Sequence, residues 1–185
     1  SGVAYAAVAL ATDSWLAVCF TPPTLELLTR DQVRRHRHLS RLGPDLLDRA
    51  FDASEAVGRL RRAAAAPVGV AVMNQQLVCG IGNVYKSEIL FLQQLNPFVS
   101  TGALTDQQLH QLIQRARNLM RRNLSGRPRQ TRFRGDQRLW VYGRLAEPCL
   151  KCGQKIQMQR QGDAGRTTYW CPSCQYEPGG ANVGP

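Results

Sequence analysis

Apolar residues dominate Val3–Leu10 and return in Trp15–Phe20, with Thr12-Asp13-Ser14 between them. This pattern predicts two strands and a turn, closed off by Pro22-Pro23. An isolated two-stranded hairpin is marginal in water, so these strands are expected to belong to a larger sheet, with Cys19 as a core thiol in their apolar pattern. Helical spacing then takes over. Thr29 can cap a helix starting at Arg30, and Asp52 with Glu55 has the spacing of an acidic cap pair for a helix running to Ala66, with Val57 and Leu60 inward. Pro67 suits the first position of a helix over Val68–Gln75. A further helix is predicted over Val84–Leu95 and stopped by Asn96-Pro97. Thr105, preceded by Leu104 as a staple partner, caps a long helix whose apolar stripe is Leu109, Leu112, Ile113, Ala116, Leu119 and Met120. Ser125-Gly-Arg-Pro128 breaks that helix. Gln130–Arg138 is too polar to pack and reads as a flexible linker, and Leu139–Tyr142 restores an apolar patch. Beyond it, Gly153–Trp170 can form two strands and a turn.

Composition adds a partner to this outline. The 185 residues carry 24 Lys and Arg against 13 Asp and Glu, a formal charge of +11 and a sequence pI of about 10.1. Arginine supplies most of the excess, which suits bidentate contact with phosphate, so a polyanion is the expected partner. Ten arginines and a single acid, Asp136, fall between Arg115 and Arg144. The cationic run Arg34–His38 reads as a solvated helix face; His36 and His38 lack metal-ligand company. No stretch is long and apolar enough to span a membrane, and no secretion signal is read at Val3–Leu10. Location in the cytoplasm, on the nucleoid, or in a nucleus is the corresponding expectation.

Two motifs carry chemistry. Cys149-Leu-Lys-Cys152 and Cys171-Pro-Ser-Cys174 are C-x-x-C pairs with eighteen residues between them, the layout of a four-cysteine zinc ribbon. Four thiolates leave no open coordination position, so one Zn2+ would be structural. Cys79, in a turn, is given no catalytic role. The second motif is Gly80-Ile81-Gly82-Asn83, a tight turn opening the Val84–Leu95 helix. Glycines let a ligand approach the backbone, and a helix N-terminus offers unpaired N–H groups that suit phosphate. Asn83 would add a donor, with Lys86 one turn further in. Taken alone, this turn fits equally well as a packing corner in which Asn83 is an ordinary cap. Arg166, just past the slender Gln161–Gly165 tip of the ribbon hairpin, could grip a phosphate from a groove; a protein-binding or purely structural ribbon is the alternative.

In combination these features are more specific. The Gly80-Ile81-Gly82-Asn83 turn, the basic connector, Trp140-Val141-Tyr142-Gly143-Arg144 and the ribbon with Arg166-Thr-Thr-Tyr-Trp-Cys-Pro-Ser-Cys-Gln175 resemble the formamidopyrimidine-DNA glycosylase / endonuclease VIII family, most closely an endonuclease VIII-type member. The resemblance covers Leu42–Gln175, and Pro67–Pro97 looks like the family's helix–two-turn–helix module. It implies an α+β protein: a remnant of an N-terminal β-sandwich over 1–28, a helical DNA-binding domain over 29–127, a basic linker over 128–144, a zinc ribbon over 145–176 and a tail over 177–185. It further implies a monomeric repair enzyme that takes double-stranded DNA with oxidised or abasic sites, excises the base after flipping it out, and cuts the strand by β- and δ-elimination. Asn83 and Arg166 match the family's phosphate-holding residues, with Gly82, Lys86 and Arg144 alongside them as DNA contacts.

Two departures qualify the resemblance. The family's attacking amine belongs to a Pro-Glu N-terminus, and this chain reads Ser1-Gly2. Its expected role is therefore the DNA-binding portion of such an enzyme, inactive alone. Asn74 stands where the family usually has Asp. Glu88 is read as a structural helix residue. The competing reading is a non-enzymatic nucleic-acid binder built from the same two modules.

Overall fold

The computed structural model describes residues 6–125 and 128–176. The first residues of the first predicted strand, the Gly126-Arg127 part of the helix break and the 177–185 tail lie outside them. The chain divides into two compact units, Ser1–Ser40 and Arg41–Pro185.

In the first unit, β1 (Ala6–Ala11) and β2 (Leu16–Phe20) form an antiparallel hairpin, with Ala11 opposite Leu16 and a register shift between Ala6 and Val8. Among the described residues these two strands pair only with each other, and all their residues but Val8 are exposed. Trp15 and Leu16 are exposed, and Cys19 is exposed as well, which corrects its reading as a core thiol. Helix α1 (Arg30–Arg35) starts at Thr29 with the reciprocal capping box that the sequence allows: Thr29 Oγ1 accepts from Gln32 N and Gln32 Oε1 from Thr29 N.

The second unit is organised around one helix. Helices α2 (Ala53–Arg61), α3 (Val68–Ala71), α4 (Asn83–Leu92) and α5 (Asp106–Arg122) surround a core that includes Leu46, Leu60, Ile89, Leu90, Leu109 and Ile113. All six predicted stripe residues of α5 are buried in it. Thr105 closes a capping box with Gln108, and Asp52 caps α2 through Ser54 N, while Glu55 turns to Arg59 instead. Both α2 and α3 end earlier than their apolar patterns suggest. After Ala71 the chain breaks into turns, stapled by Gln75, which donates to the Ile81 carbonyl and accepts from Gly80 N.

Helix α4 is buried from Tyr85 through Phe91. A helix covered all round must be packed on every side, and α4 achieves this by serving two cores. Ile89 and Leu90 face the helical core, while Phe91 joins Val141, Ile156, Cys149 and Cys171 in a small second core under the ribbon. The ribbon itself is the hairpin of β3 (Gln157–Gln161) and β4 (Arg166–Trp170), in register from Gln157–Trp170 to Gln161–Arg166. The α+β class read from the sequence is the architecture found.

The basic connector is not a flexible linker. Thr131 is 4% exposed and donates to the Glu88 carboxylate; Gln130 is held by Asn123 through its backbone N–H and C=O; and the Arg122 guanidinium lies 3.3 Å from the Phe133 ring centroid. Its anchors are a buried carboxylate, an amide and a cation–π contact, not a hydrophobic stripe of its own.

Candidate nucleic-acid interface and metal centre

The turn before α4 gives its two glycines different tasks. Gly80 has φ +107°, and a Cβ there would lie 2.7 Å from Met120 Cε, so the fold itself requires glycine. Gly82 has an ordinary φ of −103°, and a Cβ there would meet nothing within 4 Å. Nothing in the fold calls for a glycine at position 82. Its bare, exposed surface leaves the N-terminus of α4 open. That terminus lacks a side-chain cap, unlike α1, α2 and α5, so its first N–H groups have no side-chain acceptor. Asn83 is the first helical residue and does not cap, which corrects its reading as an ordinary cap.

Instead, Asn83 reaches across to the ribbon. Its Nδ2 donates to Thr167 Oγ1 at 2.9 Å, and its Oδ1 is buried with no donor. One turn on, Lys86 Nζ donates to the Thr167 carbonyl at 3.0 Å, and Ser87 Oγ accepts from Tyr169 N at 3.2 Å. One edge of α4 is thus laced to β4. Thr167 directly follows Arg166, which is exposed at the mouth of the hairpin. The structure therefore brings together Gly82, Asn83, Lys86 and Arg166 from the sequence reading. It adds Thr167, which that reading passed over; a threonine in a strand carries no sequence signal for such a role.

Two expected contacts change character. Lys86 is 1% exposed with its amine bonded to Thr167, so it positions the hairpin and is not a free surface cation. Burial, assisted by repulsion from Arg166, lowers its pKa from 10.5 to about 8. The unfolded chain holds that proton up to about pH 10.5, whereas the folded chain releases it near 8, so this group's contribution to stability rises with pH across that window. Urea midpoints of the parent and Lys86→Met, compared at pH 7.5 and 9.5, should shift in the parent's favour at the higher pH; a pH-independent gap would contradict this. Arg144 is 7% exposed, and its guanidinium donates to Glu147 Oε2, the Trp140 carbonyl and the Pro148 carbonyl at 2.7–2.9 Å. Those contacts make it a clamp at the neck of the ribbon, not a group presented to DNA.

Glu88 confirms the structural reading and enlarges it. Fully buried, it accepts from the backbone N–H groups of Trp140, Val141 and Tyr142 at 2.8–2.9 Å, and from the Thr131 hydroxyl. A buried carboxylate is tolerable because four donors converge on it. The visible signal is an acid directly before the apolar run Ile89-Leu90-Phe91-Leu92.

The four cysteine sulfurs of Cys149, Cys152, Cys171 and Cys174 all lie within 4.8 Å of one another. The separations of 3.8 Å for Cys149–Cys174 and 3.4 Å for Cys152–Cys171 suit a tetrahedron of Zn–S bonds of about 2.3 Å, whose edges are about 3.8 Å. Burial works against charge on Cys152, but donation from the Gln154 backbone and the neighbouring thiols brings its pKa down to about 7, whereas burial pushes Cys171 up to about 11 and Cys174 higher still. A divalent ion would supply the charge that lets all four act as thiolates. Gln175 ties this centre to the turn that follows α4: its Oε1 accepts from Cys171 N and its Nε2 donates to the Leu95 carbonyl. Cys79 stands apart, donating to the Gln75 carbonyl at 3.0 Å, with burial raising its pKa.

The sequence profile of the formamidopyrimidine-DNA glycosylase H2TH domain matches residues 42–134, about half of the chain, and the profile of a zinc finger found in FPG and IleRS matches 146–175. The chain belongs to the formamidopyrimidine-DNA glycosylase / endonuclease VIII family. Among relatives, "Probable endonuclease 8 2" of Streptomyces coelicolor is 38% identical over 173 residues, covering 92% of this chain and 62% of that protein. The "DNA-(apurinic or apyrimidinic site) lyase Nei2" of Mycolicibacterium smegmatis is 40% identical over 136 residues, covering 72% and 52%. The chain thus spans roughly half to three-fifths of the curated relatives it matches. Among solved structures, the complex between Lactococcus lactis Fpg and an abasic-site-containing DNA aligns with a TM-score of 0.66 and 26% identity, covering 88% of this chain and 58% of that one. No helix among the described residues is long and apolar enough to cross a membrane.

Proposed function

We propose that this chain is the DNA-binding portion of a base-excision-repair DNA glycosylase and AP lyase of endonuclease VIII type, an enzyme that removes oxidised bases and cuts the strand by β- and δ-elimination. In this reading the Arg41–Tyr176 region is the part that holds the DNA. The observation that supports it best is the joining of an open helix N-terminus to an arginine-bearing hairpin, in which both Asn83 and Lys86 bond to Thr167 beside Arg166. The N–H groups at the start of α4, reached past Gly82, and the Asn83 amide would receive phosphates on one side. Arg166 would receive a phosphate on the other, as a charge-assisted contact. Holding two neighbouring phosphates on rigid supports is what a flipped-out nucleotide needs, since its backbone must be kept in a conformation the duplex does not favour. The printed names of the relatives and the abasic-site complex support the same substrate class.

One zinc ion, held by Cys149, Cys152, Cys171 and Cys174, would cross-link the two knuckles of the ribbon. With four protein ligands it would have no open position for substrate. Its effect on DNA would pass through the placement of Arg166.

The lysine of this site does not take the role of an attacking amine, because Lys86 is buried and bonded to the Thr167 carbonyl. The 185-residue chain is therefore expected to bind duplex DNA containing an abasic-site analogue, with an affinity falling steeply as salt rises, and to give no covalent adduct with abasic DNA under borohydride. Fluorescence anisotropy across a salt series, paired with the trapping assay, tests both parts. Salt-insensitive binding would remove the phosphate grip, and a trapped adduct would show that this chain does carry a working nucleophile.

A further inference from the structure

Helix α4 is ten residues long, so its two ends lie about 15 Å apart at 1.5 Å per residue. The grip described above is at the Asn83 end. At the other end, beside Leu92, a cavity of about 590 Å³ opens between α5 and the connector, and it shares no lining residue with the cavity that Lys86 and Arg166 border. Arg115, Arg122, Arg132 and Arg134 line it together with Phe133 and Trp140, and no acidic residue does. Among the described residues none of these four arginines forms an ion pair. The one carboxylate behind the wall, Glu88, is already satisfied by four donors.

Two of the arginines are pre-arranged. Arg122 lies over Phe133, and Arg132 lies 5.4 Å from the Trp140 ring centroid. A guanidinium held over a ring loses less freedom on binding, and Arg132 is held further by donating to the Gln137 carbonyl at 3.4 Å. The Trp140 indole N–H is buried and has no acceptor among the described residues. A cavity lined by four guanidinium groups that form no ion pair among the described residues, one of which (Arg132) also donates to the Gln137 carbonyl, is rich in donors and calls for an acceptor-rich anion. Arg115 also borders a second hollow lined by Gln93, Gln111, Gln114 and Asn118, side chains that both donate and accept. Arginines for phosphates beside amides for base edges match an unpaired nucleic-acid strand, whose base edges are free, better than a paired one or an acidic peptide.

We propose that the arginine cavity between α5 and the Thr131–Trp140 connector is a second nucleic-acid site, which takes a single-stranded segment separate from the strand held at Asn83 and Arg166. The proposal goes beyond the repair reading and does not depend on which lesion is recognised. The test uses the full chain, the exposed pair Arg115→Ala/Arg134→Ala, and a control pair on α1 and just beyond it, Arg34→Ala/Arg37→Ala, which removes the same charge elsewhere. Melting curves establish that each variant folds. The probe is a fluorescent single-stranded oligothymidylate at low salt, with an undamaged duplex and poly-glutamate as separate arms. The expected result is at least a tenfold loss of single-strand affinity in the cavity pair and less than threefold in the control. Duplex binding should change little, and poly-glutamate should compete poorly. Equal losses in both pairs, an equal loss for the duplex, or full competition by poly-glutamate would overturn the assignment. So would unchanged single-strand affinity in the cavity pair. Asn83→Ala/Arg166→Ala, measured with the same probes, separates the two sites: it should lose the abasic duplex and keep the single strand, whatever becomes of the repair reading.

Discussion

Stripping the metal with a strong chelator, or replacing Cys171 by Ser, is expected to unfold the ribbon, leave the helices folded and abolish DNA binding. The reason is the size of the two cores. The helical core holds twenty-one buried residues from four helices and the segments that flank them, whereas the ribbon core holds Phe91, Val141, Cys149, Ile156 and Cys171, two of which belong to the candidate metal centre. A core that small cannot offset the ordering of some thirty residues without a staple, and zinc supplies ~10–16 kcal/mol in comparable finger peptides. Loss of the metal frees β4, and with it Thr167 and Arg166, while α5 and its capping box are untouched. Far-UV circular dichroism should keep its helical signal, Trp170 fluorescence should shift, and affinity for abasic-analogue duplex should fall by about a hundredfold or more, with recovery on adding zinc. A chelated protein that holds DNA as before would show that the ribbon is not part of the grip.

The second large effect is expected at Glu88. Glu88→Ala leaves three backbone N–H groups and the Thr131 hydroxyl without their acceptor in a buried site. Each such group costs ~1–3 kcal/mol, and even with heavy non-additivity the total is on the order of 4 kcal/mol, a large share of the ~5–15 kcal/mol that holds a domain together. A fall in melting temperature of about 10 °C or more follows. Glu88→Gln keeps the shape but turns one acceptor into a donor that faces other donors, so it too is expected to be clearly destabilising. Because Glu88 supports the Trp140–Tyr142 segment and not the α4 N-terminus, DNA affinity below the melting transition should fall less than stability does. A stable Glu88→Ala protein would mean that the connector is held by other contacts.

These two residues mark the boundary of what the sequence discloses. The metal centre is legible because both knuckles are local, and two C-x-x-C pairs at hairpin spacing leave little alternative. The caps at Thr29, Asp52 and Thr105 and the stripe of α5 are legible for the same reason, being one-turn chemistry and one-helix periodicity. Asn83 and Arg166 are found through the resemblance, but their coupling is not, since it passes through Thr167 and Lys86 from elements eighty residues apart. Lys86 and Arg144 show the converse error. A basic residue in a basic protein invites a phosphate, yet the carbonyls of Thr167, Trp140 and Pro148 take those donors first. The connector misleads because its anchors are polar. Hydrophobic patterning has no means of showing that Thr131 would be buried against a carboxylate forty-three residues away. Cys19 misleads the other way, an apolar pattern whose strands pair only with each other among the described residues.

The central claim is that the α4 N-terminus and the ribbon hairpin act on DNA as one device, joined at Thr167. A double-mutant cycle of Asn83→Ala and Arg166→Ala on abasic-analogue duplex tests it most directly, with Thr167→Val as a third variant that touches only the link. Each single change should cost ~1–3 kcal/mol, about five- to 150-fold in affinity. The double should lose less than the sum by at least ~0.5 kcal/mol, and Thr167→Val should weaken binding although both phosphate-facing residues are intact. Unchanged affinity in the two single variants, or strict additivity with a silent Thr167→Val, would contradict it.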